Sequence, residues 1–134
     1  MRAIDPDDRR RAASRPDRPS PDLSKQARGR WGEDLAARHY RRLGYRILDR
    51  NWTSPSGELD LVVERDGLIV FSEVKARRSD RYGPAAAAVG PEKQRRIRRL
   101  ATEWLAINRP VRVGLRFDVV AVTGAHIELI ESAF

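Results

Sequence analysis

The dipeptide Asp66-Gly67, set between the apolar runs "ELDLVVER" and "LIVFSEVKAR", constrains this chain more than any other feature. Asp-Gly suits a two-residue type I′ turn, in which both central residues take positive φ, and the flanking β-rich runs then form an antiparallel hairpin. A two-residue loop also sets the register, pairing Arg65 with Leu68 and each next residue outward in turn. Asp60 then lies opposite Glu73, and Glu58 opposite Lys75. Directly opposed side chains share a face, so all four gather on one side of the sheet at the end away from the turn.

Two opposed carboxylates repel, and burial among aliphatic neighbours makes the charge costly. A divalent cation between them reverses the sign of that interaction. Mg²⁺ suits the position because it takes oxygen ligands and commonly uses only one or two protein carboxylates with water. Lys75, two residues beyond Glu73, is set to meet a phosphate or an attacking water. Lysine is rare here: Lys25, Lys75 and Lys93 are the only three among 27 basic residues. The alternative is structural, with Lys75 simply neutralising Glu58.

Around this hairpin the pattern reads α-β-β-β-α-β-β, a mixed α/β sheet flanked by helices. A helix is predicted from an N-cap at Ser24, with Trp31, Leu35, Ala36, His39 and Leu43 at helical spacing and Gly44 as its stop. "YRILDRNWT" reads as a strand and "SPSG" as a turn. A second helix starts at Pro91, carries Ile97, Leu100, Ala101, Trp104 and Leu105 on one face, and ends before Pro110. "VRVGLRFDVVAVTG" and "HIELIE" read as closing strands. Residues 1–23 are rich in Arg and Pro and nearly without large apolar side chains, which predicts a disordered tail before a single domain at 24–134.

With a net charge of +8, a polyanionic partner is the first expectation, nucleic acid above all. An Arg-rich composition with no such partner explains the same charge. Zero cysteines excludes disulfides and thiolate-bound metal and fits a cytoplasmic location. The chain has no apolar segment approaching the ~20 residues of a membrane helix, and its start has no apolar signal region.

The segments "RGRWGEDLAARHYRRLGYRILDRNW", "GELDLV", "FSEVKAR" and "RFDVVAV" together resemble the YraN-like family. That family is similar to archaeal Holliday junction resolvases within the restriction-endonuclease-like, PD-(D/E)XK superfamily. The resemblance spans about residues 25–123, in order. Asp60 takes the place of the first motif acid, and Glu73 and Lys75 supply E-x-K. Leu59 stands where the motif's name has proline. The resemblance implies a restriction-endonuclease-like nuclease domain and a metal-dependent endonuclease hydrolysing phosphodiester bonds in DNA, with branched or damaged DNA among the candidate substrates. Asp60, Glu73 and the Val74 carbonyl would hold Mg²⁺ (or Mn²⁺), with Glu58 a further ligand or an orienter of Lys75. The metal would polarise the phosphate and acidify a water. Lys75 would offset charge developing on the phosphorane. Glu33, in "WGEDLA", matches a helix-borne acid that joins such sites. A non-catalytic nucleic-acid-binding module keeping the same fold is the alternative, and a third reading makes the acids structural and the basic faces a protein-docking surface. Junction resolvases work as dimers, which leaves room for a homodimer, although no dimer face is legible.

Other residues carry two readings each. Glu33 is either a site acid or a solvated helix acid near an N-terminus. "EKQRRIRR" places Lys93, Arg95, Arg96, Arg98 and Arg99 around Ile97, as a phosphate-binding or a merely solvated face; Lys93, Gln94 and Arg96 are the contacts favoured for nucleic acid. Arg77 and Arg78 begin a loop at the substrate end of the strand. There Tyr82 can stack on an unpaired base or pack on the sheet edge. Trp31, Trp52 and Trp104 read as core rather than as recognition platforms, His39 and His126 as unconnected with catalysis, and Asp118 as structural or at the edge of the site.

Overall fold

The computed structural model describes residues 21–77 and 89–134, with side chains from residue 26 onward. The expected tail up to residue 20, and Arg78 and Tyr82 with the rest of 78–88, lie outside the described residues.

The element order is α1 (Pro21–Arg42), β1 (Arg46–Ser54), β2 (Gly57–Arg65), β3 (Leu68–Arg77), α2 (Pro91–Asn108), β4 (Gly114–Thr123) and β5 (His126–Ile130). The five strands form one sheet in chain order. β1, β2 and β3 are successively antiparallel, β3 and β4 are parallel, and β4 and β5 are antiparallel. The single parallel pair needs a crossover, and α2 lies within it.

The Asp66-Gly67 turn forms as expected, with φ of 52° and 83°. The predicted register follows from Arg65↔Leu68 to Leu61↔Ser72. α1 departs from expectation at its start. It begins at Pro21, a favoured first helical residue, so Ser24 lies inside the helix rather than capping it. α2 matches its expected span and ends at Arg109 in the left-handed conformation.

The sheet is buried on both faces, which is why its central strands read as near-continuous apolar runs. On one face Ile97, Leu100, Ala101 and Trp104 of α2 pack on Val62, Ile69, Phe71 and Val119. Phe71 meets the Trp104 ring edge-on at 5.8 Å and stacks on Phe117 at 5.6 Å. Each such buried side chain contributes about 1.5–3 kcal/mol. On the other face Ala36, Ala37 and Tyr40 of α1 cover Leu61, Val63, Val70 and Val120. α1 sits close because Gly32 faces β3; a Cβ at Gly32 would lie 2.8 Å from the Ala76 Cβ.

Trp104 is core as expected and Trp52 is partly buried, but Trp31 is 45% exposed and Leu43 40% exposed. The contact of α1 runs through its small residues, which leaves these large ones on its flanks.

Candidate active site: an acidic pair at a strand divergence

The β2/β3 ladder stops at Leu61↔Ser72, while β2 continues toward its start paired only with β1. At the divergence the faces of β2 exchange. Leu59 and Val62 belong to the core under α2, whereas Leu61 and Val63 belong to the core under α1. Strict alternation would put Leu59 and Leu61 together, so the strand rotates at Asp60. The neighbouring strand rotates with it: Asn51 takes φ of 52° between the pairs Arg50↔Leu61 and Trp52↔Leu59. Asparagine is among the few non-glycine residues that tolerate this conformation.

Freed from the ladder, the Asp60 carboxylate takes the place of a strand. The Val74 amide donates to its Oδ2 at 2.8 Å. The N–H and C=O of one strand residue point toward the same neighbour. The Val74 carbonyl therefore also points to the side of β3 that β2 has left. Glu73 is 8% exposed and its carboxyl lies within hydrogen-bond reach of Asp60. Desolvation, with the Glu73 charge next, pushes Asp60 up to about 8; the Val74 amide opposes the shift and Glu33 adds to it. Below that pH Asp60 holds a proton, which removes much of its repulsion with the Glu73 charge.

Glu33 of α1 stands beside this pair. Its pKa is raised by burial, an effect opposed by a hydrogen bond with Asn51 and reinforced by Glu58. Lys93 of α2 reaches the pair from the opposite helix, its Nζ 2.5 Å from Glu73 Oε2. The sheet thus brings together an acid pair with Glu33 from one covering helix and a lysine from the other.

These groups line one cleft of about 530 Å³. Glu33, Glu58, Asp60, Glu73, Val74, Lys75, Lys93 and Arg96 all border it. Among the described residues Lys75 has no ion-pair partner. The expected Glu58–Lys75 cross-strand pair does not form, because Glu58 pairs with Thr53 of β1 and β2 has already left β3. Gln94 donates its side-chain amide to the Val89 carbonyl at 2.9 Å and is absent from the cleft wall. Arg77 ends β3, opposite Thr123 in the parallel ladder. Arg98 lies over the rings of Phe117 and Phe134, at 4.7 and 5.5 Å, rather than in the cleft.

Two contributors were not singled out in the sequence. Asn51 holds Glu33, and an Asn inside a strand pattern is the signal that could have found it. Glu103 accepts hydrogen bonds from Ser54 and Ser56, both at 2.6 Å, and so ties the β1–β2 turn that walls the cleft to α2. Its spacing from those serines carries no local signal.

Among the described residues no group of three or more His, Asp or Glu side chains is arranged to hold a metal ion. The donors that do converge are two carboxylates, Asp60 and Glu73, with the Val74 carbonyl on the same side. This all-oxygen set fits Mg²⁺ or Mn²⁺, which complete their shells with water. Among the described residues no helix is long and apolar enough to cross a membrane.

The model of UPF0102, an uncharacterised protein family, matches residues 32–122. A UPF0102 protein of Frankia casuarinae is 51% identical over 116 residues, covering 83% of this chain and 98% of that protein. One from Rhodococcus opacus is 48% identical over 113 residues, covering 81% and 96%. One from Syntrophus aciditrophicus is 46% identical over 110 residues, covering 79% and 87%. The matched span contains α1 from Gly32, every cleft acid, Lys75 and Lys93.

Proposed function

The chain belongs to the UPF0102 family, and from the site it carries we propose that it is a metal-dependent nuclease that hydrolyses phosphodiester bonds in DNA. The observation that carries this reading is the Asp60–Glu73 pair, in which Asp60 has a single backbone donor, with Lys93 on Glu73 and Lys75 bordering the same cleft. The sequence resemblance to restriction-endonuclease-like nucleases supports the reading, as does the mixed sheet that places E-x-K on a central strand.

Asp60 and Glu73, with the Val74 carbonyl, would hold the ion. Bound there, Mg²⁺ supplies Lewis-acid polarisation of the scissile phosphate and acidifies the attacking water. Lys75 then faces the charge that develops on phosphorus-bound oxygens, as a compact donor on a rigid strand. Lys93 is held by Glu73, and Arg96 borders the same wall, so both are placed for the flanking phosphates. Glu33, kept near the pair by Asn51, is placed to take or give a proton. Glu58 borders the cleft beside Glu33 rather than Lys75, which favours a role with that acid over orienting the lysine.

The test is incubation of the protein with linear and branched DNA, and with RNA, in Mg²⁺ or Mn²⁺. The wild type should cleave DNA, and Lys75→Ala should lower the rate about 10²–10³-fold while leaving the fold intact. Salt-sensitive binding without cleavage of any substrate would overturn the hydrolytic reading and leave a non-catalytic nucleic-acid-binding module.

A further inference from the structure

Trp31 is the one tryptophan whose position runs against the sequence pattern. It stands on the side of α1 away from the sheet, 45% exposed, while Gly29 and Glu33, two residues either side of it, line the cleft from the opposite side of the helix. Helical spacing puts Arg28, Arg38 and Arg42 on the same flank, at i−3, i+7 and i+11 from Trp31. Among the described residues none of these three arginines has an ion-pair partner. Asp34, the nearby acid on the helix, is taken by Arg50 at 2.7 Å. The flank therefore presents an indole within a line of uncompensated guanidinium groups.

We propose that this flank is a binding track for nucleic acid with unpaired bases, on which Trp31 stacks one base while Arg28, Arg38 and Arg42 hold the adjoining phosphates. The ligand class follows from the two chemistries side by side. Guanidinium groups favour a polyanion, and an exposed indole favours a ligand that offers a free aromatic face. In a blunt duplex the bases are stacked on one another, so that face is absent; a single-stranded segment offers it at every residue. α1 is about 10–12 Å across with its side chains. A strand leaving the cleft past Glu33 has about half the circumference of the helix, roughly 16–19 Å, to cover before it reaches Trp31. This proposal rests on the nucleic-acid reading of the cleft and narrows its substrate to molecules with a single-stranded segment.

The test measures anisotropy of a labelled oligo(dT) and of a blunt duplex of equal length, at low salt without divalent metal. The proteins are the wild type, Trp31→Ala and Trp31→Phe. Trp31→Ala should weaken oligo(dT) binding about tenfold, Trp31→Phe should restore most of it, and duplex affinity should stay unchanged in both. Tryptophan emission should be quenched by oligo(dT) in the wild type, and less so in Trp31→Phe. If the wild type binds oligo(dT) and Trp31→Ala binds it equally well, the stacking proposal is overturned and the cleft reading stands. If the wild type binds neither polymer, both are overturned.

Discussion

Asp118 and Asp60 are carboxylates on two strands of one sheet, and the protein treats them in opposite ways. Asp118 is 0% exposed and fully provided for. Arg116 donates to its two oxygens at 2.8 and 2.9 Å, the Tyr40 hydroxyl donates at 2.8 Å, and the Ser132 amide at 3.1 Å. Arg116 is itself held by the Tyr45 hydroxyl at 2.9 Å. Burial and the Asp118 charge push the Tyr40 phenol up, so it stays a donor. Asp60 has one backbone amide and faces two further carboxyls. A charge buried for stability is surrounded by donors. A charge buried without them is poised for something that arrives from outside.

This contrast breaks if the two acids respond alike to removal. Asp118→Ala leaves the partly buried Arg116 with only the Tyr45 hydroxyl and the exposed Glu131, 3.7 Å away, and should cost about 3–5 kcal/mol in urea unfolding. A loss within the range of an ordinary surface substitution would mean that the network around Asp118 is not what stabilises the junction of β4, β5 and α1.

Asp60→Asn should act in the other direction, by about 1–3 kcal/mol in the metal-free protein at pH 8. The sign follows from linkage. Asp60 titrates near 3.8 in the unfolded chain and is raised to about 8 in the fold. Between those values the folded state holds more protons, so stability is greatest at the acid end and falls as pH rises toward 8. Asparagine removes that slope. Melting temperatures of wild type and Asp60→Asn should therefore converge near pH 4 and separate toward pH 8, with the variant higher. Parallel curves would show that Asp60 is not raised in the fold.

Much of this arrangement was legible because it is local. Asp66-Gly67 gives the turn, the turn gives the register, and the register brings Asp60 toward Glu73. The ladder then ends one pair before them, since β2 rotates at Asp60 where Asn51 bends β1. Neither event has a two-fold signature in the apolar pattern, so Glu58 was expected beside Lys75 and instead stands by Glu33. Lys93 meets Glu73 only because the crossover returns α2 over β3, a long-range consequence of the parallel pair. The spacing of Trp31 predicts a core residue. α1 touches the sheet through Gly32, Ala36 and Ala37, and that close approach turns the indole outward. The nuclease reading itself came from resemblance and from the acid–acid–lysine set, which the fold gathers at one cleft.

Calorimetric titration of Mg²⁺ and Mn²⁺ into wild type and Asp60→Asn tests the acid pair most directly. Near pH 7 the wild type should bind, with heats that vary with the buffer's ionisation enthalpy, because metal must displace the proton held at Asp60; Asp60→Asn should lose that binding. Equal binding by both proteins, or none by the wild type even with DNA present, would contradict a metal site between Asp60 and Glu73.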